Sequence, residues 1–217
     1  MKTKAILLSV MAAFSLVACD EHRDFPDTTM HVCDVLTTDG DVMRYEDFET
    51  SGKDAIGVVF YLNNDARIEG TGYAVYLHDL PEVMFADSLG IPQKTSCSLQ
   101  DHDGNANTYN LMMAKGCESQ LATAVFDMWR YGQSAYIPSV AQMRVLFAAK
   151  PGINETIRRC GGDELPDEAD GCWYWTSTEV EGQSAAKAWL YSLYSGSIQE
   201  TPKNQQHKVR PIITLNY

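Results

Sequence analysis

Apolar and polar positions along the chain predict strands near both ends of a folded region and helices between them. Ala55–Leu62 (AIGVVFYL) is a continuous apolar run, which is typical of a strand buried on both faces. Gly72–Leu80 is a second β run, and Val32–Leu36 followed by Thr38-Asp39-Gly40-Asp41 indicates a hairpin. In Glu118–Tyr131 the apolar residues recur at helical spacing, which predicts a helix with one buried face.

A second helix is predicted to start after Ser139, because Ser139 and Gln142 have the spacing of a capping box, and to end at Pro151-Gly152. A short helical turn over Ile153–Cys160 follows, and Gln100–Asn110 is predicted to be a polar loop. The remaining strands are predicted over Trp173–Thr178, Ala186–Leu193, Ser197–Glu200 and Lys208–Leu215. This order, without a long linker or a repeat, predicts one α+β domain over residues 31–217.

The N-terminal segment has the three parts of a bacterial export signal. Lys2 and Lys4 are followed by the apolar stretch Ala5–Ala18, which has the length of a signal peptide and is too short to span a bilayer. Leu16-Val17-Ala18-Cys19 resembles the lipobox of bacterial lipoproteins, in which the cysteine thiol takes a diacylglycerol. We therefore predict a signal peptide over residues 1–18 and a lipidated tether over residues 19–30, with Cys19 as the lipid-bearing residue that would be labelled by palmitate.

Acidic residues directly behind Cys19 bear on location. Asp20, Glu21 and Asp24 resemble the surface-export signal of some Gram-negative lineages, whereas in others an aspartate there retains the lipoprotein in the inner membrane. We predict a protein lipid-anchored in the outer membrane and exposed on the cell surface. Its net charge of −12 and the lack of any basic run disfavour nucleic acid as a partner.

Cysteine usage suits an oxidising compartment. The favoured disulfide is Cys160–Cys172, because the loop between these two residues is short. The second choice is a Cys97–Cys117 disulfide, which would leave Cys33 free. The alternative is that all five are buried thiols. Their spacing does not suggest zinc, since the chain has no CxxC and its histidines are scattered.

Several ordered motifs resemble one bacterial lipoprotein family of unknown function, the Fibrobacter major paralogous domain group and its relatives. The matching segments are Ile56–Tyr61, Asp103–Thr108, Tyr136–Ser139, Gly161-Gly162, Tyr174–Glu179, Ala188-Trp189 and Val209-Arg210-Pro211. The resemblance implies a C-type-lectin-like fold, which is a compact mixed-sheet domain with two main helices. It also implies that Tyr174, Trp175 and Trp189 belong to the framework.

An oxygen-rich segment is a possible metal site. Asp101, Asp103 and Asn105 place oxygens at alternate positions, as calcium loops do, but Met112 stands where a bidentate glutamate belongs. We predict a structural turn here and no cofactor, with the metal site as the weaker alternative.

The C-terminal β region combines aromatic residues with serines, a composition that suits an adaptable contact surface. The candidate ligand-binding residues are Trp173, Tyr191, Ser192, Tyr194, Ser195 and Ser197. The alternative is simple sheet packing followed by a polar turn. Lys208 and Arg210 are expected to pair with Glu179 or Glu200 rather than to bind ligand.

The predicted function is that of a non-enzymatic, adhesin-like lipoprotein that binds a glycan or protein ligand. No G-x-S-x-G, H-E-x-x-H or P-loop motif occurs, and no cysteine follows Cys172 as formylglycine-generating enzymes of the same fold would require. Two alternatives are a structural subunit of a pilus tip or envelope complex and, less favoured, a cryptic enzyme.

Overall fold

The computed structural model describes residues 29–128 and 135–216. The predicted signal peptide, Cys19 and most of the tether lie outside the described residues, as does the end of the helix predicted over Glu118–Tyr131. The described part of the chain is α+β, as predicted, with two five-stranded sheets and four helices.

The first sheet is antiparallel and has the strand order β10-β4-β3-β1-β2. Its strands are β1 Val35–Thr37, β2 Val42–Met43, β3 Ala55–Leu62, β4 Gly72–Tyr76 and β10 Ile212–Leu215. The hairpin of β1 and β2 and the burial of β3 on both faces are confirmed. Val58 and Val59, adjacent in β3, are both fully buried but belong to core clusters on opposite faces of the sheet.

The second sheet has the order β5-β9-β6-β7-β8, and β6 pairs with β9 in parallel. Its strands are β5 Leu80–Met84, β6 Trp173–Glu179, β7 Lys187–Ser192, β8 Ile198–Pro202 and β9 Gln206–Val209. The single strand predicted over Lys208–Leu215 is wrong, because Pro211 separates β9 from β10 and the chain passes from one sheet to the other. Similarly, the run Gly72–Leu80 contains β4 and only the start of β5.

The helices are α1 Tyr45–Ser51, α2 Gly104–Met112, α3 Gln120–Phe126 and α4 Val140–Arg159. Helix α4 does not end at Pro151-Gly152 as predicted but continues through it, so the separate turn Ile153–Cys160 is its C-terminal part. An internal proline costs a helix about 3 kcal/mol. Packing compensates this cost, because Met143 and Leu146 before Pro151 and Ile153 and Ile157 after it are all fully buried in one cluster.

None of the helices within residues 29–128 and 135–216 combines the length and the apolar character needed to cross a bilayer.

The capping box of α4 is confirmed and also fixes the start of α2. Ser139 Oγ accepts a hydrogen bond from Gln142 N (3.3 Å), and Gln142 Oε1 accepts one from Ser139 N (2.9 Å). The same Gln142 oxygen accepts a hydrogen bond from Gly104 N (3.2 Å). A Cβ on Gly104 would lie 2.6 Å from the carbonyl oxygen of Ile137, so only glycine permits this approach.

The polar loop predicted over Gln100–Asn110 is wrong, since α2 begins at Gly104. Its buried side carries polar residues whose partners are other segments. Thr108 Oγ1 donates to Gly104 O and accepts from Ile137 N (2.9 Å), and Asn107 Oδ1 accepts from Ser96 N (2.9 Å). A helix that buries satisfied polar groups lacks the apolar stripe that sequence patterns detect.

The predicted disulfides are not formed, because all five cysteines in the described residues are free thiols. Cys172 is buried with its Sγ 3.2 Å from Ser192 Oγ, whereas Cys160 is the C-cap residue of α4. Cys117 accepts a hydrogen bond from Gln93 Nε2, and Cys97 lies in the irregular segment before α2. The alternative of five buried thiols holds only for Cys117 and Cys172, because Cys33, Cys97 and Cys160 are partly exposed.

Candidate functional site

The turn between β7 and β8 holds most of the candidate ligand-binding residues. The two strands pair antiparallel up to Tyr191 and Ile198, and the turn closes with hydrogen bonds from Ser192 N to Ser197 O (2.9 Å) and from Gly196 N to Ser192 O (2.9 Å). Gly196 has φ 72°, and a Cβ there would lie 2.9 Å from the Phe147 ring. The turn is thus held in one conformation against α4.

Three serine hydroxyls form a chain through this turn. Ser195 Oγ lies 3.0 Å from Ser192 Oγ and 3.0 Å from Ser197 Oγ, and Ser195 N donates to Ser192 Oγ (3.1 Å). Ser192 is completely buried, whereas Ser195 and Ser197 are exposed. The inner hydroxyl therefore fixes the turn, and the outer two can exchange hydrogen bonds with a ligand.

Tyr191 and Ser192 are not ligand-binding residues as predicted, because both are buried. The Tyr191 ring is 6.2 Å from that of Phe147, and burial raises the pKa of its hydroxyl. Alternation along a strand separates its two faces but does not tell which face is covered. Here the face that carries Tyr191 lies on α4, so this residue supports the turn from beneath.

Trp173 is only partly exposed. It lies opposite Ser192 across β6 and β7, and its half-buried side chain packs against the core cluster on the face opposite to Tyr191. The exposed part of the predicted surface therefore consists of Tyr194, Ser195 and Ser197, which we call the turn surface. Tyr194 is 48% exposed.

A buried lysine joins the turn surface to an acidic loop. Lys150 Nζ donates to Leu193 O (2.9 Å) and Pro166 O (2.9 Å), and it lies 2.8 Å from Asp167 Oδ1. The carboxylate of Asp167 is largely exposed beside this contact. Leu193, which precedes Tyr194, is thus tied through Lys150 to the loop that carries Pro166 and Asp167.

The segment proposed as a metal alternative does not have the geometry of a calcium loop. Asp103 is the N-cap of α2, and its Oδ1 accepts a hydrogen bond from Asn107 Nδ2 (2.9 Å). Asn105 lies within the helix, where residues at alternate positions point to different sides. The oxygens of Asp101, Asp103 and Asn105 are therefore not arranged to converge on one ion.

The basic residues near the C-terminus have a different partner from those predicted. Lys208 Nζ lies 3.1 Å from Asp79 Oδ2, and Arg210 Nε lies 2.6 Å from Asp79 Oδ1. Glu200 instead pairs with Lys187 (3.0 Å), and Glu179 with Lys203. Sequence reasoning missed Asp79 because the β5–β9 pairing that brings it close joins distant parts of the chain.

One cavity places a thiol near ionisable groups. It has a volume of about 340 Å³ and is lined in part by Cys33, His31 and Asp34. Burial and then the Asp34 charge raise the pKa of the Cys33 thiol, and its Sγ donates to Gly152 O (3.3 Å). This environment favours the protonated thiol, whereas a nucleophile has to be the thiolate.

The fold is similar to that of a fimbrial protein from Bacteroides ovatus ATCC 8483, known from a crystal structure, with a TM-score of 0.66 and 15% sequence identity. The similarity covers 86% of this chain and 49% of the fimbrial protein, so this chain spans about half the length of that protein. At this identity the likeness concerns the fold. The sequence matches no protein-family model and no curated protein.

Proposed function

We propose that the chain is a non-enzymatic subunit of a fimbria or a comparable cell-surface assembly. The observation that carries this proposal is the similarity in fold to a fimbrial protein over 86% of the chain. The N-terminal sequence supports the location, since a lipid on Cys19 would hold the mature chain at the membrane. In this proposal the chain sits on the outer face of the outer membrane, and its partners are other envelope proteins.

A sheared-filament experiment tests this proposal. Cells that express the full chain with an epitope tag at its C-terminus are sheared, and the filament fraction is analysed by immunoblot and by immunogold microscopy. We expect the chain in the filament fraction and gold label on filaments. Label spread over the membrane with no chain in the filaments would contradict the proposal.

A matched variant separates anchoring from assembly. Cys19→Ser removes the thiol that takes the lipid and leaves the domain sequence over residues 31–217 unchanged. We expect labelled palmitate in the parent chain and none in the variant. Equal labelling of both chains would refute the lipid anchor without touching the assembly proposal, because filament association is measured independently.

A second candidate function is ligand binding through the turn surface, within the C-type-lectin-like fold that the motifs imply. The specific observation is that Tyr194, Ser195 and Ser197 are exposed on a turn that buried contacts hold in place. Tyrosine gives rigid apolar area and serine gives adaptable hydrogen bonds, so binding would cost little conformational entropy. The ligand class is a glycan or a protein.

Alanine variants test this second function. The purified chain is applied to arrays of glycans and of matrix proteins, and the triple variant Tyr194→Ala, Ser195→Ala, Ser197→Ala is compared with Tyr109→Ala. Tyr109 is a suitable control because it is 61% exposed but lies on α2. We expect the triple variant to lose at least about tenfold in affinity and the control to lose none. No binding, or equal losses, would overturn this function.

A further inference from the structure

A cluster of reactive polar side chains is buried at one end of the second sheet and has no part in the turn surface. Lys203, Glu179 and Gln93 are each at most 2% exposed. Lys203 directly follows β8, Glu179 ends β6, and Gln93 lies in the irregular segment between β5 and α2. Three segments that are distant in sequence therefore place an amine, a carboxylate and a carboxamide next to one another.

The amine contacts both other groups directly. Lys203 Nζ donates to Gln93 Oε1, to Glu179 Oε1 and to Ser184 O. Glu179 Oε1 also accepts a hydrogen bond from Gln93 N (2.9 Å), and its Oε2 accepts one from Thr95 N (3.2 Å). The carboxylate thus holds the backbone of Gln93 beside the lysine.

The carboxamide of Gln93 has a defined orientation. Its oxygen faces Lys203, and its nitrogen Nε2 donates to Cys117 Sγ (3.0 Å). Cys117 lines a cavity of about 350 Å³ that also includes the exposed residues Met112 and Glu118. The amide nitrogen is therefore directed to the side from which a small molecule can reach solvent.

Apolar rings lie beside the amine and keep water from it. Lys203 Nζ lies 5.2 Å from the centre of the Phe85 ring, which packs edge-on against Trp175, and both rings are fully buried. Burial lowers the pKa of Lys203, because a charged ammonium loses its hydration there. A neutral amine is the nucleophilic form, and Glu179 is the neighbouring group that can take its proton.

We propose that Lys203 and Gln93 become joined by an internal isopeptide bond. Lys203 Nζ first passes a proton to Glu179. Rotation about the Cγ–Cδ bond of Gln93 then turns the face of the carboxamide towards Nζ, and Nζ attacks Cδ. The Nζ–Cδ bond forms and the Cδ–Nε2 bond breaks. Nε2 receives the proton that Glu179 returns and the second proton that Nζ loses, so it leaves as ammonium and Glu179 ends as a carboxylate. Nothing is oxidised or reduced, and the step requires no co-reactant.

The bond would close a loop between residues that are 110 positions apart in sequence. It would tie the irregular segment that precedes α2 to the end of β8, at the edge of the second sheet. Such a link restricts the unfolded chain, as a disulfide over a long loop does. This inference does not depend on the proposed fimbrial role.

Peptide mapping of the full chain tests the bond. Trypsin should not cleave after a lysine whose amine is acylated, so Ala188–Lys208 should remain intact and be joined to Ile68–Lys94. We expect one branched peptide. Its mass should be lower, by the mass of one ammonia, than the sum of the masses of the two linear peptides Ile68–Lys94 and Ala188–Lys208. Two linear peptides, with normal cleavage after Lys203, would overturn the proposal.

A fragment-ion mass spectrum distinguishes the isopeptide bond from a competing reaction of Gln93 that also releases one ammonia. A thioester between Gln93 and Cys117 would link Ile68–Lys94 to the peptide that contains Cys117 instead, and this result would also overturn the assignment to Lys203. Gln93→Met retains the Lys203–Glu179 pair and removes the carboxamide. Trypsin should cleave this variant after Lys203, and Glu179→Gln should retain the linear form because the proton acceptor is lost.

Discussion

The start of α4 allows a stability prediction to be calculated from individual contacts. In Ser139→Ala the N-cap oxygen is lost, and Gln142 N loses its acceptor. Replacing an N-cap serine by alanine costs about 1 kcal/mol. The structure adds a second loss, because Ser139 Oγ also donates to Asp101 O (2.7 Å), and Ser139 is fully buried.

The two losses are expected to add. A buried hydrogen bond contributes about 1 kcal/mol, and an acceptor left without a partner costs at least as much. Ser139→Ala should therefore lower the free energy of unfolding by about 2 kcal/mol, a change of roughly thirtyfold in the folding equilibrium constant.

Ser119→Ala is the matched control. Ser119 is the N-cap of α3, is 5% exposed and accepts a hydrogen bond from Ala122 N (3.1 Å). Within residues 29–128 and 135–216, its hydroxyl donates no hydrogen bond to another segment that would correspond to the Ser139–Asp101 contact. We therefore expect a loss of about 1 kcal/mol, half of that for Ser139→Ala.

Urea unfolding followed by tryptophan fluorescence measures both variants under identical conditions. The expected order of unfolding free energies is parent chain, then Ser119→Ala, then Ser139→Ala, with the slope against urea unchanged. Equal losses in the two variants would refute the contribution of the Asp101 contact. An unchanged midpoint for Ser139→Ala would refute the capping box itself.

Two further predictions concern the turn surface and pH. Gly196→Ala should lower the free energy of unfolding by about 2 kcal/mol or more, because a left-handed φ and the Phe147 ring both oppose a Cβ. Gly182→Ala is the control, since Gly182 has φ 73° and a Cβ there would meet no atom within 4 Å. In the same urea assay it should lose only the free energy that a left-handed φ costs alanine. Burial lowers the pKa of His102 and of His207, so below about pH 6.5 the unfolded chain binds more protons than the folded chain. The free energy of unfolding should therefore be highest above about pH 6.5 and should decrease as the pH falls below that value. Replacing both histidines by phenylalanine should flatten the urea midpoint between about pH 7 and pH 5.5, and an unchanged slope would contradict the assignment.

Local signals in the sequence predicted local structure well. The β3 run and the capping box of Ser139 and Gln142 depend on residues close in sequence, and both are confirmed. Helix α2 was missed because its buried side carries Asn107 and Thr108, whose partners lie in other segments. The pattern of apolar residues does not reveal a polar group whose partner is remote.

The candidate contact surface was predicted only in part, and for a related reason. Alternation indicates that neighbouring residues of β7 face opposite ways, but burial of Tyr191 is decided by α4, which lies about forty positions earlier in the chain. Tyr194, Ser195 and Ser197 are exposed because they lie in the turn between β7 and β8, on either side of Gly196, which is the residue that contacts Phe147 of α4.

The ion pairs show how strongly remote packing sets the chemistry of this chain. Glu179, Lys203, Lys208 and Arg210 all lie in the C-terminal β region, and composition alone permits several pairings between them. The pairing of β9 with both β5 and β6 brings Asp79 to Lys208 and Arg210 and thereby leaves Lys203 as the partner of Glu179. Because Gln93 from a separate segment completes that buried pair, a site with reactive groups arises where no sequence motif marks one.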